Sequence, residues 1–125
     1  MVKFHVPIRL QSLSNTRLHW RRMVAIKKMQ RAAVKCCLVG LTSPSLPATV
    51  LITRVGPRKL DNDNLASACK YVRDQIAEWF GVDDGSLLYT WRYAQQTGKY
   101  GVDVEVINDY RAHDEWCLSN STQYR

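Results

Sequence analysis

Two pairs of aspartates, Asp61/Asp63 and Asp83/Asp84, lie at the two ends of one stretch, 59–85 (KLDNDNLASACKYVRDQIAEWFGVDDG), in a chain of formal net charge +7. In extended backbone, residues i and i+2 point the same way, so Asp61 and Asp63 can reach a single ion. Oxygen donors with no His or Cys beside them favour Mg²⁺ over zinc. A carboxylate-held Mg²⁺ in a basic, anion-binding protein suits metal-assisted phosphodiester hydrolysis. Lys70 follows Asp63 by seven residues, within about 20° of the same face of a continuous helix. There it would be a cation able to stabilise a phosphorane-like transition state, with Ser67 and Asp74 close to that face.

Each motif also has a plainer reading. Asp63-Asn64 can cap a helix, Asp83-Asp84-Gly85 can be a turn, and Lys70/Asp74 is an ordinary i,i+4 surface pair. A straight helix between the two acidic pairs would hold them roughly 25–30 Å apart at 1.5 Å per residue. They can share a site within one chain only if the chain doubles back, or between two chains if a neighbour supplies the second pair.

The elements that must position these groups follow from periodicity. Residues 2–10 alternate (Val2, Phe4, Val6, Ile8 against Lys3, His5, Pro7, Arg9), which predicts a strand with one buried face. Pro7 places it at a sheet edge or marks its end. After a loop in which Ser14 or Asn15 can cap, a helix over about 16–38 carries Arg17, Arg21, Arg22, Lys27, Lys28, Arg31 and Lys35 with no acidic residue. Its expected buried stripe is Leu18, Val24, Ala25, Met29, Ala32, Ala33 and Cys36. Like charges at i,i+4 oppose that helix, and an anionic partner would relieve them. Gly40 suits its C-cap.

The β-branched run 48–55 predicts a central strand. One helix is expected from Leu65, buried along Leu65, Cys69, Val72, Ile76 and Trp79, and ended by Gly81. Residues 87–94 read as a strand with Tyr89, Trp91 and Tyr93 on one face, most simply core or interface. QQTGK reads as a hairpin turn, and 100–107 as its second strand. The order β-α-β-α-β-β predicts a single α+β domain with a mixed sheet and helices packed on it. Residues 109–125 are polar and aperiodic, a loosely attached tail.

Composition narrows the partners. At 125 residues and 46% hydrophobic, the chain supports one core. The excess of 18 basic over 11 acidic residues points to an anionic partner, most often nucleic acid. Cys36, Cys37, Cys69 and Cys117 contain no CxxC spacing and read as small apolar residues in a reducing cytosol, neither disulfide nor zinc ligands. The N-terminus lacks a signal-peptide core and no apolar run approaches ~20 residues, so a soluble cytoplasmic protein with no membrane partner is expected.

The frame D-x-D-N-L (Asp61, Asp63, Asn64, Leu65), a helix with K-x-x-x-D (Lys70, Asp74), a V-D-D turn (Val82-Asp83-Asp84) and a closing hairpin resembles the RusA family of Holliday junction resolvases of phages and prophages. The early SLSNTRLHWRR is similar to the arginine-rich N-terminal segment of RusA-like phage proteins. The resemblance covers roughly residues 12–107, and with it 1–108 would form the nuclease domain. It implies a homodimeric, Mg²⁺-dependent endonuclease that nicks four-way DNA junctions symmetrically, in recombination and repair in a bacterial host cytosol. Asp61, Asp63 and Asp84, with Asp83 beside it, would hold metal; Lys70 would be the helix lysine; Arg17, Arg21, Arg22 and Arg58 would contact DNA. The chain departs from the family at Ser67, where the family lysine stands; Lys70 comes one helical turn later. The competing readings are a non-catalytic basic DNA-binding protein and a phage assembly protein on the same scaffold.

Overall fold

The computed structural model describes residues 2–11 and 19–107. Alternating Val2, Phe4 and Val6 make β1 (Val2–Val6), and Pro7, lacking an N–H, follows its end. Then come α1 (Trp20–Leu38), β2 (Ala48–Gly56), α2 (Asn62–Ala68), α3 (Lys70–Phe80), β3 (Tyr89–Thr97) and β4 (Gly101–Ile107). The strands form one mixed sheet in the order β1-β4-β2-β3. Strands β2 and β3 run parallel, and β4 is antiparallel to β2 and β1. This is the expected α+β domain, with β1 at an edge and β2 in the centre. Residues 12–18 and the tail 109–125 lie outside the described residues.

The expected hairpin is not formed. Strand β2 lies between β3 and β4, and the connection 98–100 passes over its carboxyl end. Thr97 pairs with Gly56 and Gly101 with Val55, while Gly98 N–H donates to Gly56 C=O at 3.1 Å. A Cβ on Gly98 would lie 3.0 Å from Val55 Cγ1, so any other residue would have to displace Val55 at the crossing. Alternation identifies a strand and its buried face, but it carries nothing about which strand is the neighbour.

The single helix expected between the acidic pairs is two. The break is confined to Cys69 (φ −86°, ψ −2°), whose N–H bonds Leu65 C=O at 3.2 Å and whose C=O accepts from Arg73 at 2.9 Å. Leu65, Ala68, Cys69, Val72 and Ile76 are all buried, so the apolar periodicity runs through the break and conceals it. Gly81, at φ 78°, takes the left-handed C-cap of α3, with its N–H on the Ala77 and Glu78 carbonyls.

Helix α1 is rotated from its expected orientation. Val24, Ala25, Met29, Ala32 and Cys36 face solvent, whereas Gln30, Val34 and Leu38 are buried; of the expected stripe, Ala33 is partly covered and Leu18 lies outside the described residues. Several overlapping series at three- and four-residue spacing exist in this helix, and a polar contact accompanies the one buried. Arg31 docks on α3, donating from Nε to Gln75 Oε1 at 3.0 Å and pairing with Glu78 at 3.2 Å. The N-cap of α1 is His19, whose Nδ1 accepts from Arg21 N–H at 3.2 Å; the expected caps Ser14 and Asn15 lie outside the described residues.

Gln30 is fully buried, and neither its Nε2 nor its Oε1 has a hydrogen-bond partner among the described residues. A buried, unsatisfied amide costs about 1–3 kcal/mol. Gln30→Met, which keeps the shape and drops both polar atoms, is therefore expected to raise stability by about 1–2 kcal/mol. An upward shift of the urea midpoint at unchanged m-value checks this.

Candidate functional site

At the carboxyl ends of the parallel strands β2 and β3, two polar side chains reach over the sheet edge. Arg54 and Gln95 are register partners. Buried Arg54 donates from Nε to Leu10 C=O and from Nη1 to Arg58 C=O, both at 2.7 Å. Gln95 accepts from Leu60 N–H and donates to Leu60 C=O, again both at 2.7 Å. Gly56 leaves room for the guanidinium: a Cβ there would meet Arg54 Nη1 and Nη2 at 3.1 Å. The loop 57–61 is thus pinned at Arg58 and Leu60, one residue before Asp61.

Asp61 is the N-cap of α2 by position, yet its side chain makes no capping hydrogen bond. Its C=O accepts from Leu65 N–H at 2.8 Å, which starts the helix. Asp63 lies in the first turn. Both are exposed, and among the described residues neither carboxylate makes a hydrogen bond or ion pair. The N-cap is therefore Asp61 and not the expected Asp63-Asn64, and its side chain does not cap. Lys70, exposed at the start of α3, makes no ion pair with Asp74, so the ordinary i,i+4 explanation is not realised either. Asp63 and Lys70 lie in separate helices that meet at Cys69.

The second acidic pair does double back. Trp91 Nε1 donates to Asp84 C=O at 2.9 Å and Tyr89 Oη to Val82 C=O at 2.8 Å, which folds the 81–84 turn against the beginning of β3. Asp84 Oδ2 takes both Nε and Nη2 of Arg73 at 2.9 Å, and Arg73 Nη1 donates to Tyr93 Oη at 2.9 Å. The guanidinium also lies 5.4 Å from the centre of the Trp91 ring. Along β3 the anchors are Trp91 for Asp84, Tyr93 for Arg73 and Gln95 for Leu60. The segments that carry the two acidic pairs are therefore anchored on the same strand, four residues apart. Among the described residues no group of three or more His, Cys, Asp or Glu gathers as a metal cluster. Asp83 is exposed, its Oδ1 accepting from Gly85 N–H at 3.3 Å.

The Arg73 guanidinium, ahead of Asp83, holds the Asp84 carboxyl below the usual carboxylate range. A depressed folded value stabilises the fold above the unfolded carboxyl value, about 3.9, and that contribution is lost as pH falls through the folded value. Asp84→Asn is therefore expected to cost about 1 kcal/mol at pH 7, with about a third of the pair exposed to screening solvent. The gap from wild type should close in acid, below pH ~4. Unfolding curves across pH 2–7 measure this, and a constant gap would refute it.

Of the expected DNA contacts, Arg21 and Arg22 are exposed on the first turn of α1, with Arg21 over the Trp20 ring at 5.4 Å. Arg58 is exposed beside Asp61 in sequence, and Arg17 lies outside the described residues. Tyr89, Trp91 and Tyr93 pack with the core, as expected of their face. Burial pushes the Cys69 thiol up to about 12, against an opposing pull from Arg54, so it stays protonated; Cys36 is exposed, contrary to its expected place in the core. Periodicity did not single out Arg54, Gln95 or Arg73. The one available signal was polarity where strand alternation demands an inward residue: Gln95 continues the series Tyr89, Trp91, Tyr93, and Arg54 continues Val50, Ile52.

The pair offers oxygen donors alone, the donor type of Mg²⁺, but α2 begins at Asn62, so Asp63 stands in a helical turn and not, as expected, on extended backbone with Asp61. That ion keeps several waters and is commonly held by one or two carboxylates together with substrate phosphates. No helix among the described residues is long and apolar enough to cross a membrane. No protein-family model matches the sequence, and no curated protein matches it significantly.

Proposed function

We propose that the chain is a magnesium-dependent endonuclease that cuts branched DNA as a homodimer, in the manner of the RusA family it resembles. The observation that carries this is the pair Asp61 and Asp63, whose exposed carboxylates make no hydrogen bond or ion pair with any described residue and stand beside a doubly pinned loop in a chain of net charge +7. The carboxyl ends of parallel strands are also where open α/β sheets carry ligands. Asp61 and Asp63 would hold the ion. When bound, Mg²⁺ supplies a polarised phosphate and an activated water. Lys70 provides a cation for the developing charge, and Arg21, Arg22 and Arg58 hold the DNA backbone, with Arg17 added by the resemblance. Asp84 would join the ion only on leaving Arg73, with Asp83 next to it.

A second reading, DNA binding without cleavage, draws on two observations: Ser67 stands where the family lysine is found, and Arg73 occupies Asp84. Incubation with a synthetic four-way junction, with and without Mg²⁺ and with linear duplex as control, separates the readings. Paired nicks in the junction alone support the resolvase. Equal cutting of both substrates leaves a nuclease without junction selectivity, and salt-dependent binding without any cutting supports the second reading.

A further inference from the structure

We infer that the outer face of α1 and α3 is where two copies of this chain meet, α1 of each lying along α3 of the other about a two-fold axis parallel to the helices. This deepens the homodimeric part of the reading above by naming its surface. Helices α1 and α3 run side by side in the same direction. Lys27 Nζ lies 6.0 Å from the centre of the Tyr71 ring, Arg31 reaches Gln75 and Glu78, and Trp79 Nε1 donates to Leu41 C=O at 3.4 Å. An open groove of about 410 Å³ is lined by Val24, Ala32 and Gln75 together with Lys27, Lys28 and Lys35. Nearer the carboxyl ends of both helices lies a second hollow of about 340 Å³, beside Leu38, Val39 and Trp79. Val24, Met29 and Val39 are 42%, 47% and 77% exposed, although Val24 and Met29 belong to a stripe whose spacing marks it for burial. Apolar side chains gathered on one exposed face mark a contact surface.

Charge decides what covers this face. Helix α1 has no acidic residue, and Lys28 and Lys35 are exposed with no ion pair among the described residues. The α3 side is acidic: Asp74, likewise without a described ion pair, lines a hollow with Glu78 and Asp83. The face thus carries its own complement, and two kinds of two-fold axis lay such a face on itself. An axis lying across the helices sets α1 on α1, cations against cations. An axis parallel to them sets α1 on α3 and keeps heights along the helices. Opposed like charges are strongly unfavourable, which selects the parallel axis. Lys27 is level with Tyr71 and Arg31 with Gln75. Lys28 therefore comes within about 3 Å of the level of the partner's Asp74, and Lys35 within about 1.5 Å of the partner's Glu78, at 1.5 Å per residue. The same axis suits paired nicking. Both helices start at one end of the molecule, so Arg21, Arg22 and Lys70 of both copies come to the same end of the dimer.

Sedimentation equilibrium of the full chain at micromolar concentrations tests this. Wild type should be a dimer that added salt weakens. Lys28→Glu and Asp74→Lys each set like charges together at both symmetry-related contacts, and each should weaken dimerisation at least about tenfold. Neither side chain has a described ion pair, so far-UV CD should be unchanged. The deciding sample is an equimolar mixture of the two variants. In a mixed dimer both contacts pair opposite charges again, and association should return close to the wild-type level. Neither a folding defect nor an effect within one chain is repaired by mixing, so a mixture that stays monomeric overturns the inference. A dimer that both variants leave intact overturns this surface and leaves the homodimer to another one. Weaker junction binding by Lys28→Glu with the dimer intact likewise overturns it and assigns α1 to DNA. A monomeric wild type overturns the surface and the homodimer together, while Mg²⁺-dependent cutting, read separately, is untouched by either.

Discussion

Arg54→Met is expected to lower the unfolding free energy by about 2–4 kcal/mol, a large share of the 5–15 kcal/mol typical of a domain. Arg54 is 5% exposed and no described carboxylate pairs with it. Its guanidinium is instead divided between the Leu10 and Arg58 carbonyls. Two effects oppose each other. Methionine fills the space of the stem and removes the expense of burying a cation, which alone would favour the variant. It also leaves two carbonyl acceptors without a donor, at about 1–3 kcal/mol each when water cannot replace it. The second effect wins because the bonds are short and charge-assisted, and because the carbonyls belong to separate segments that this side chain joins. Arg54→Lys keeps the charge but lacks the planar fork, so it should recover part of the loss and not all of it. Urea unfolding of the three proteins decides the matter; a methionine variant as stable as wild type would mean that solvent reaches both carbonyls.

What could be read in the sequence divides along physical lines. Strands, helices and their ends are local, so the β1 alternation, the stop at Gly81 and the core residues Leu65, Val72 and Ile76 all stand where periodicity puts them. Pairing is not local. The turn 98–100 has hairpin residues, yet β2 enters between the strands it joins, and only the pairing of Thr97 with Gly56 and Gly101 with Val55 reveals it. Helix rotation failed for a related reason. In α1 the apolar positions are small and numerous, so no single stripe dominates, and Arg31 reaching Gln75 and Glu78 accompanies the face that is buried. The site was legible as a set of charged residues but not as a geometry. That Asp84 is taken by Arg73 depends on a turn folding back against Trp91, which no spacing rule encodes, while Asp61 and Asp63 have no partner among the described residues.

That asymmetry selects the decisive substitution. Asp63→Asn should reduce Mg²⁺-dependent junction cleavage by at least about a hundredfold, since even residues one step removed from a metal carry 10–100-fold. Its cost in stability should be small. Asp63 is exposed, has no described partner and lies in the first turn of α2, where its charge interacts with the helix dipole for about 0.3–1 kcal/mol. Asparagine is tolerated there and has nearly the same volume. Junction affinity measured in EDTA should hold or rise, because the variant removes one negative charge from a surface that must approach phosphates. Lost cleavage with retained or stronger binding is the combination that a direct part in the chemistry produces, and an accompanying loss of Mn²⁺ affinity assigns that part to metal ligation. A capping role would lower the melting temperature and leave the cut intact, and a general folding defect would lower binding as well. If wild type cuts and Asp63→Asn cuts equally, the ion is held elsewhere. The first residue to test would then be Asp84, freed from its pair by Arg73→Met.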